Sequence, residues 1–229
     1  MNLDDIRTVV TPEDLARVGR FRYEIYVQEQ GKNALHVDHE NRTLIEPEDR
    51  DVRSQIYWIE SEGRILGTVR TQFGPFAPDF VESMQLHRLP FDPSRELFLF
   101  TRMMVAEDAR RTEITTKLFR LGLTISITKN ITAGILACAP RLVPVFESFG
   151  CLAYADTFVH SIAGPQVPMA VLGESDYMRE RGSPLADWIQ ALRPLSVYTR
   201  RFLECVNEHR KHTASPPVRS ARRLTADTI

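Results

Sequence analysis

The chain has 229 residues, 43% of them hydrophobic and 26% charged, with 29 Lys and Arg against 30 Asp and Glu for a formal net charge of −1. That length suits one domain with a generous core, or one domain plus an appendage. The charge balance gives no reason to invoke nucleic acid, and no run reaches the roughly 18–20 apolar residues that a membrane span needs.

The N-terminus MNLDDIRTVV is acidic and polar where a signal peptide is basic and then apolar, so the expected compartment is the cytoplasm. Thr11-Pro12-Glu13-Asp14 is a helix start, and Leu15, Val18, Phe21, Ile25 and Tyr26 follow at helical spacing, which predicts a helix over 12–29. Residues 31–53 carry six acidic residues and two histidines without a sustained period, and read as a long loop. Runs at 54–61 and 64–71 around Glu62-Gly63 predict a hairpin. After a Pro- and Phe-rich connection, a strand is expected over 96–105, a helix over 110–128, a strand over 131–138, a short helix from Pro140 to Phe149 stopped by Gly150, a strand over 153–162 and another over 167–172. This order predicts an α/β domain with a mixed central sheet flanked by helices, since a hairpin is antiparallel and a strand-helix-strand unit is a parallel crossover. The domain is expected over 1–175, with a helical extension over 176–212, broken at Pro184 and Pro194, and a disordered basic tail over 213–229.

The stretch LFLFTRMMVAEDARRTEITTKLFRLG, followed by ITAGILACAPRLVPVFESFGC, resembles the acyl-donor segment of the GNAT superfamily of acyltransferases. Counted from Val105, the family's arginine falls on Arg110 and its two glycine positions on Glu113 and Thr115. In the acetyl-CoA enzymes those glycines let main-chain amides close on a diphosphate at a helix N-terminus. Glu113 puts a carboxylate there instead. A single phosphate on a carrier-protein pantetheine asks for less, and Arg110, Arg111 or Thr115 can meet it; alternatively these residues are a solvated helix start. Where many GNAT enzymes have a tyrosine four residues before the glycine, this chain has Phe146, which cannot protonate the leaving thiolate but still lines the donor side.

Farther upstream, Arg22-Tyr23-Glu24-Ile25-Tyr26-Val27, then Glu48-x-x-Asp51 with Tyr57, Gly67-Thr68-Val69-Arg70 and Thr101-Arg102 resemble, in order, the signatures of acyl-homoserine-lactone synthases and N-acyl amino acid synthases. Read as residues alone, they predict a charged cluster of Arg22, Arg70 and Arg102 opposite Glu48 and Asp51, because arginines in apolar surroundings are rarely left unpaired. The cluster either shapes the acceptor side of a cleft, as the resemblance implies, or is a purely structural network. Lys32 and Leu99 stand where the lactone synthases have a tryptophan and a glutamate that handle S-adenosylmethionine. An N-acyl amino acid or other N-acylated amine is therefore the expected product.

The resemblance implies direct attack of an amine on a pantetheine thioester, with the donor, on an acyl carrier protein in preference to CoA, as cosubstrate and partner and no permanently bound cofactor or metal. Main-chain amides near Met103, Met104 and Val105 are expected to polarise the carbonyl, and Glu48, or His36 or His39 of the same loop, to take the amine proton. Cys138 is read as a core residue and not as a nucleophile paired with His160. The three cysteines have no metal spacing and an odd count, so reduced thiols are expected. The aromatic and leucine supply over 73–100 fits an acyl tunnel or a core equally well. A short-chain acyl-CoA enzyme and a non-catalytic GNAT-fold binding protein are the competing readings.

Overall fold

The protein is represented by a computed structural model that describes residues 5–32, 35–110, 112–161, 163–190, 198–213 and 223–224. Two units emerge, one of residues 1–72 and 100–121, the other of 73–99 and 122–229.

In the first unit β1 (Ile6–Thr8) leads into α1 (Pro12–Tyr23). Thr11 caps α1 by accepting from the Asp14 N–H, Asp14 answers by accepting from the Thr11 N–H, and Pro12 supplies a first-turn residue with no N–H to satisfy. The predicted helix continues as a π-helical turn, Glu24–Glu29, and ends where Gly31 takes φ +63°, a left-handed conformation that glycine adopts without penalty. Its inner face lies so close to the 43–45 segment that a Cβ at Gly19 would sit 2.7 Å from Ile45 Cγ1. The expected loop holds a small ladder, β2 (Val37–Asp38) against β3 (Thr43–Leu44), and a 3₁₀ turn, Pro47–Arg50.

The predicted hairpin is β4 (Ser54–Ser61) with β5 (Arg64–Phe73), antiparallel with a bulge at Ile59 and Glu60. The strand order in this unit is β1-β4-β5-β6, where β6 is Leu97–Val105. Helix α3 (Ile114–Thr128) starts four residues later than Arg110, after a 3₁₀ turn at Glu107–Ala109. Its first turns cover the sheet: Ile114 and Leu118 close on Gly67, and Phe119 stacks on Phe100 at 5.9 Å. Full burial of a side chain such as Leu118 is worth about 1.5–3 kcal/mol.

In the second unit α2 (Pro78–Ser83) occupies part of the Pro- and Phe-rich connection. The parallel crossover is present: Leu97–Leu99 of β6 pair with Ala133–Ile135 of β7 (Ala133–Cys138). The order runs β6-β7-β10-β9, with β10 (Gly164–Leu172) antiparallel to β7. One expected strand over 153–162 divides into β8 (Leu152–Ala153) and β9 (Phe158–His160), both on β10. The interruption is pinned by side chains, since Tyr154 donates to the Met84 carbonyl at 2.7 Å and Gln85 to the Asp156 carbonyl at 2.9 Å. Helix α4 (Val143–Ser148) precedes Gly150, at φ +96°, as expected.

Helices α5 (Ser175–Glu180), α6 (Ala186–Gln190) and α7 (Tyr198–Thr213) follow, with Phe202 of α7 against Phe91 and Tyr177. The expected break at Pro194 lies outside the described residues, as does most of the tail; Arg223–Leu224 form β11, parallel to β9. Among the described residues no helix is long and apolar enough to cross a membrane.

Candidate active site

The first unit buries a charged cluster supplied by four elements. Arg22 comes from α1, Arg70 from β5 and Arg102 from β6, while Glu46 and Asp49 come from the 3₁₀ turn. Pro47 starts that turn. Glu46 caps it, with its N–H donating to Asp49 Oδ2 at 2.8 Å, so Glu46 and Asp49 fall on the inward side.

Arg22 Nη1 donates to Asp49 Oδ2 at 2.7 Å, and Arg70 Nη1 donates to Asp49 Oδ1 at 3.0 Å and to Glu46 Oε2 at 3.1 Å. Arg70 Nε reaches Thr101 Oγ1 at 3.2 Å. Arg102 grips Glu46 with two nitrogens, Nε at 2.6 Å and Nη2. Its guanidinium also lies 5.5 Å from the centre of the buried Tyr26 ring. Arg102 itself sits at φ +51°, a left-handed conformation rare for a residue with a Cβ and costing of order 1–3 kcal/mol. Strain of that kind inside a strand persists only where the surroundings fix it, as the two-nitrogen grip on Glu46 does here.

Burial works against the charges of Arg22, Glu46, Asp49 and Arg102, and the partners decide the outcome. It would raise the Glu46 and Asp49 carboxyls, yet Arg102 and Arg70 for Glu46, and Arg22 and Arg70 for Asp49, hold both below their ordinary values. For Arg102, burial is outweighed by Glu46 and the pKa rises; for Arg22, burial prevails over Asp49 and it falls. Three guanidiniums thus face two buried carboxylates. A third carboxylate, Glu48, stands 3.8 Å from Arg70 Nη1. Nε and Nη2 of Arg22, Nη2 of Arg70 and Oε2 of Glu48 are buried without a hydrogen bond, which makes this a polar centre with unused donors.

The structure brings Arg22, Arg70 and Arg102 together and places Glu48 at their margin. Asp51 belongs elsewhere: it accepts from Arg53, through the backbone N–H at 2.8 Å and Nε at 3.0 Å, so the cluster expected from Glu48 and Asp51 is built on Glu46 and Asp49. His39 Nδ1 meets the Tyr23 hydroxyl at 3.1 Å and His36 is part-exposed. Met103 and Val105 are part-exposed near the end of β6, with Met104 buried between them.

Arg110 is engaged already, its Nε donating to the Val105 carbonyl at 3.0 Å and its Nη2 pairing with Glu29 at 2.5 Å. Thr115 is part-exposed in the first turn of α3; Glu113 pairs with Lys117 at 3.3 Å, and Lys117 with Asp5 at 2.5 Å. Arg111 lies outside the described residues. Phe146 is buried in α4 of the second unit. Cys138 is buried there too, and burial followed by the charge of Glu147 pushes its thiol up to about 11, the reverse of what a nucleophile needs.

An open groove of about 1020 Å³ lies in the first unit between the outer face of α1 and residues 106–108. Its rim carries Glu24, Glu29, Glu107 and Asp108 against Arg17, Arg20 and Arg64, an excess of one negative charge. Among the described residues no group of three or more His, Cys, Asp or Glu is placed to hold a metal ion.

No curated protein sequence matches the chain. Among solved structures it resembles FeeM, an N-acyl amino acid synthase from uncultured soil microbes, at 12% identity and a TM-score of 0.57, covering 80% of this chain and 96% of that one. It resembles BjaI, a CoA-dependent acyl-homoserine lactone synthase, at 14% identity and a TM-score of 0.61, covering 87% and 97%. Escherichia coli ElaA matches at 15% identity and a TM-score of 0.54, covering 72% and 98%. These likenesses establish the GNAT-type acyltransferase fold. The model of the FeeM family of N-acyl amino acid synthases matches residues 17–171, well over half of the chain, and takes in the C-terminal half of α1, the charged cluster, β6, α3 and α4. The chain therefore belongs to the FeeM N-acyl amino acid synthase family and is an N-acyltransferase.

Proposed function

We propose that this enzyme moves an acyl chain from the pantetheine thioester of an acyl carrier protein to the amine of an amino acid. The neutral amine attacks the thioester carbonyl, and main-chain amides of Met103, Met104 and Val105 receive the developing oxyanion. Glu48 takes the amine proton, directly or through a water; the carbon–sulfur bond then breaks, and the pantetheine thiolate leaves as the amide forms. A thiol is a good leaving group near neutrality, so Phe146 in place of an acid is compatible with turnover. Arg22, Arg70 and Arg102 position the acceptor side through Glu46 and Asp49.

The observation that carries the reading is the Arg102–Glu46 grip on β6, where a strained backbone is held two residues before Met104. Preference for a carrier over CoA is supported by the start of α3: Arg110 is tied to Glu29, Glu113 occupies a glycine position, and the neighbouring groove is net negative. A carrier donor also fits work in the cytoplasm.

The test offers decanoyl-carrier protein and decanoyl-CoA separately, each with a mixture of the twenty amino acids, and reads N-decanoyl products by mass spectrometry. Faster turnover from the carrier is expected. Equal or faster turnover from CoA overturns the donor choice; no product from either donor, with a folded sample, overturns acyl transfer to amino acids. Arg102→Ala should remove product while the far-ultraviolet dichroism and cooperative unfolding persist.

A further inference from the structure

We infer that Lys32, together with the free edge of Arg102, reads the carboxylate of the acceptor amino acid. The inference rests on the acyl-transfer reading above and adds the residue that sets acceptor class.

Lys32 is held by main chain. The helix end closes with the Gly31 N–H donating to the Val27 carbonyl at 3.1 Å and the Lys32 N–H to the Tyr26 carbonyl at 3.0 Å, a Schellman-type stop widened by the π-helical turn. Its side chain returns over its own helix, and Nζ lies 4.5 Å from the centre of the Tyr26 ring. The same ring holds the Arg102 guanidinium at 5.5 Å, which puts the two cations within about 10 Å of each other.

The two cations differ in how far they are neutralised. Among the described residues Lys32 has no carboxylate partner. Arg102 spends Nε and Nη2 on Glu46, leaving Nη1 and a side chain that is 15% exposed. Behind them, buried Arg22 and Arg70 carry three nitrogens without hydrogen bonds. Two cations of unlike geometry beside one ring, one of them without a carboxylate partner among the described residues, suit a small anion, and a carboxylate uses a planar guanidinium edge and an ammonium well.

An amino acid offers that carboxylate two bonds from its amine. An amino acid amide has the same shape and a less basic amine, so any preference for the acid reports recognition of charge and not readiness of the nucleophile.

The test uses the full chain with decanoyl-carrier protein and an equimolar mixture of glycine, leucine and phenylalanine with their primary amides, and reads the ratio of N-decanoyl acids to N-decanoyl amides. In parallel, calorimetry measures binding of N-decanoyl-phenylalanine against N-decanoyl-phenylalaninamide, which needs no turnover. The wild-type chain should favour the acid at least tenfold in binding, about 1.4 kcal/mol. Lys32→Met should bring that ratio within about twofold of unity and Lys32→Arg should keep most of it. A wild-type ratio near unity, binding of neither compound, or a preference that survives Lys32→Met overturns the inference. If the acid binds preferentially while no product forms, the inference stands and the proposed reaction fails; if product forms equally from acids and amides, the reaction stands and the inference fails.

Discussion

Replacing Glu46 with glutamine removes one negative charge and almost no volume from the centre of the cluster. Glu46 is 3% exposed and accepts from both Arg102 and Arg70. After the change, three guanidiniums retain only Asp49 as a buried carboxylate. Removing one partner of a buried ion pair costs about 3–5 kcal/mol, because the remaining charge stays desolvated and uncompensated. For a chain of this size that is a fall in midpoint of roughly 6–20 °C. Urea unfolding at neutral pH measures it, and the double variant Glu46→Gln/Arg102→Gln should be less unstable than the two single losses added, since each single change orphans the other group. The pH profile supplies an internal check. The folded pKa of Glu46 lies below its unfolded value of about 4.3, so its stabilisation is present above that pH and is lost as the pH falls through the depressed folded value. The deficit of Glu46→Gln should therefore be full at neutral pH and shrink below about pH 4. A loss under about 1 kcal/mol at neutral pH, the range of exposed pairs, refutes the account of a desolvated cluster.

Three further outcomes follow from local geometry. Gly67→Ala introduces a Cβ 2.8 Å from Ile114 Cγ2 and 3.4 Å from the Met104 carbonyl, and should cost about 1–3 kcal/mol in urea unfolding as α3 is pushed off β5. Cys138→Ala should keep acyl transfer within about twofold, and native Cys138 should resist iodoacetamide at pH 8, where its raised pKa leaves it a thiol; rapid labelling contradicts its burial. Glu29→Gln frees Arg110 for a donor phosphate and should lower the KM for acyl-carrier protein by no more than about fivefold, the scale of a part-exposed pair; a raised KM means the pair serves only to brace the end of β6.

Local chemistry made most elements legible. Thr11-Pro12 fixed one end of α1, and Glu62-Gly63 fixed the hairpin, because caps and turns depend on a few adjacent residues. The π-helical turn at Glu24–Glu29 was invisible, since Ile25 and Tyr26 keep the apolar face that an ordinary helix would show. The division of 153–162 into β8 and β9 depends on Tyr154 and Gln85 reaching residues about seventy positions away in sequence, which no window along the chain contains.

The site shows the same limit at finer scale. Arg22, Arg70 and Arg102 stood out because each is a long cation in an apolar segment. Their partners did not, because Glu46-x-x-Asp49 and Glu48-x-x-Asp51 have identical spacing and either pair can occupy one side of a turn. Pro47 separates them. A proline with fixed φ and no N–H belongs at the first position of a turn, which makes Glu46 the cap and Asp49 the residue that folds back onto it, while Asp51, one residue past the turn, is released to solvent and to Arg53. Charge counting points the same way. The inward pair must balance three guanidiniums, whereas Asp51 is met by Arg53 outside the cluster. Choosing between them takes the backbone geometry of one proline, and that choice decides which carboxylate braces Arg102 and which, Glu48, stands at the margin, 3.8 Å from Arg70 Nη1.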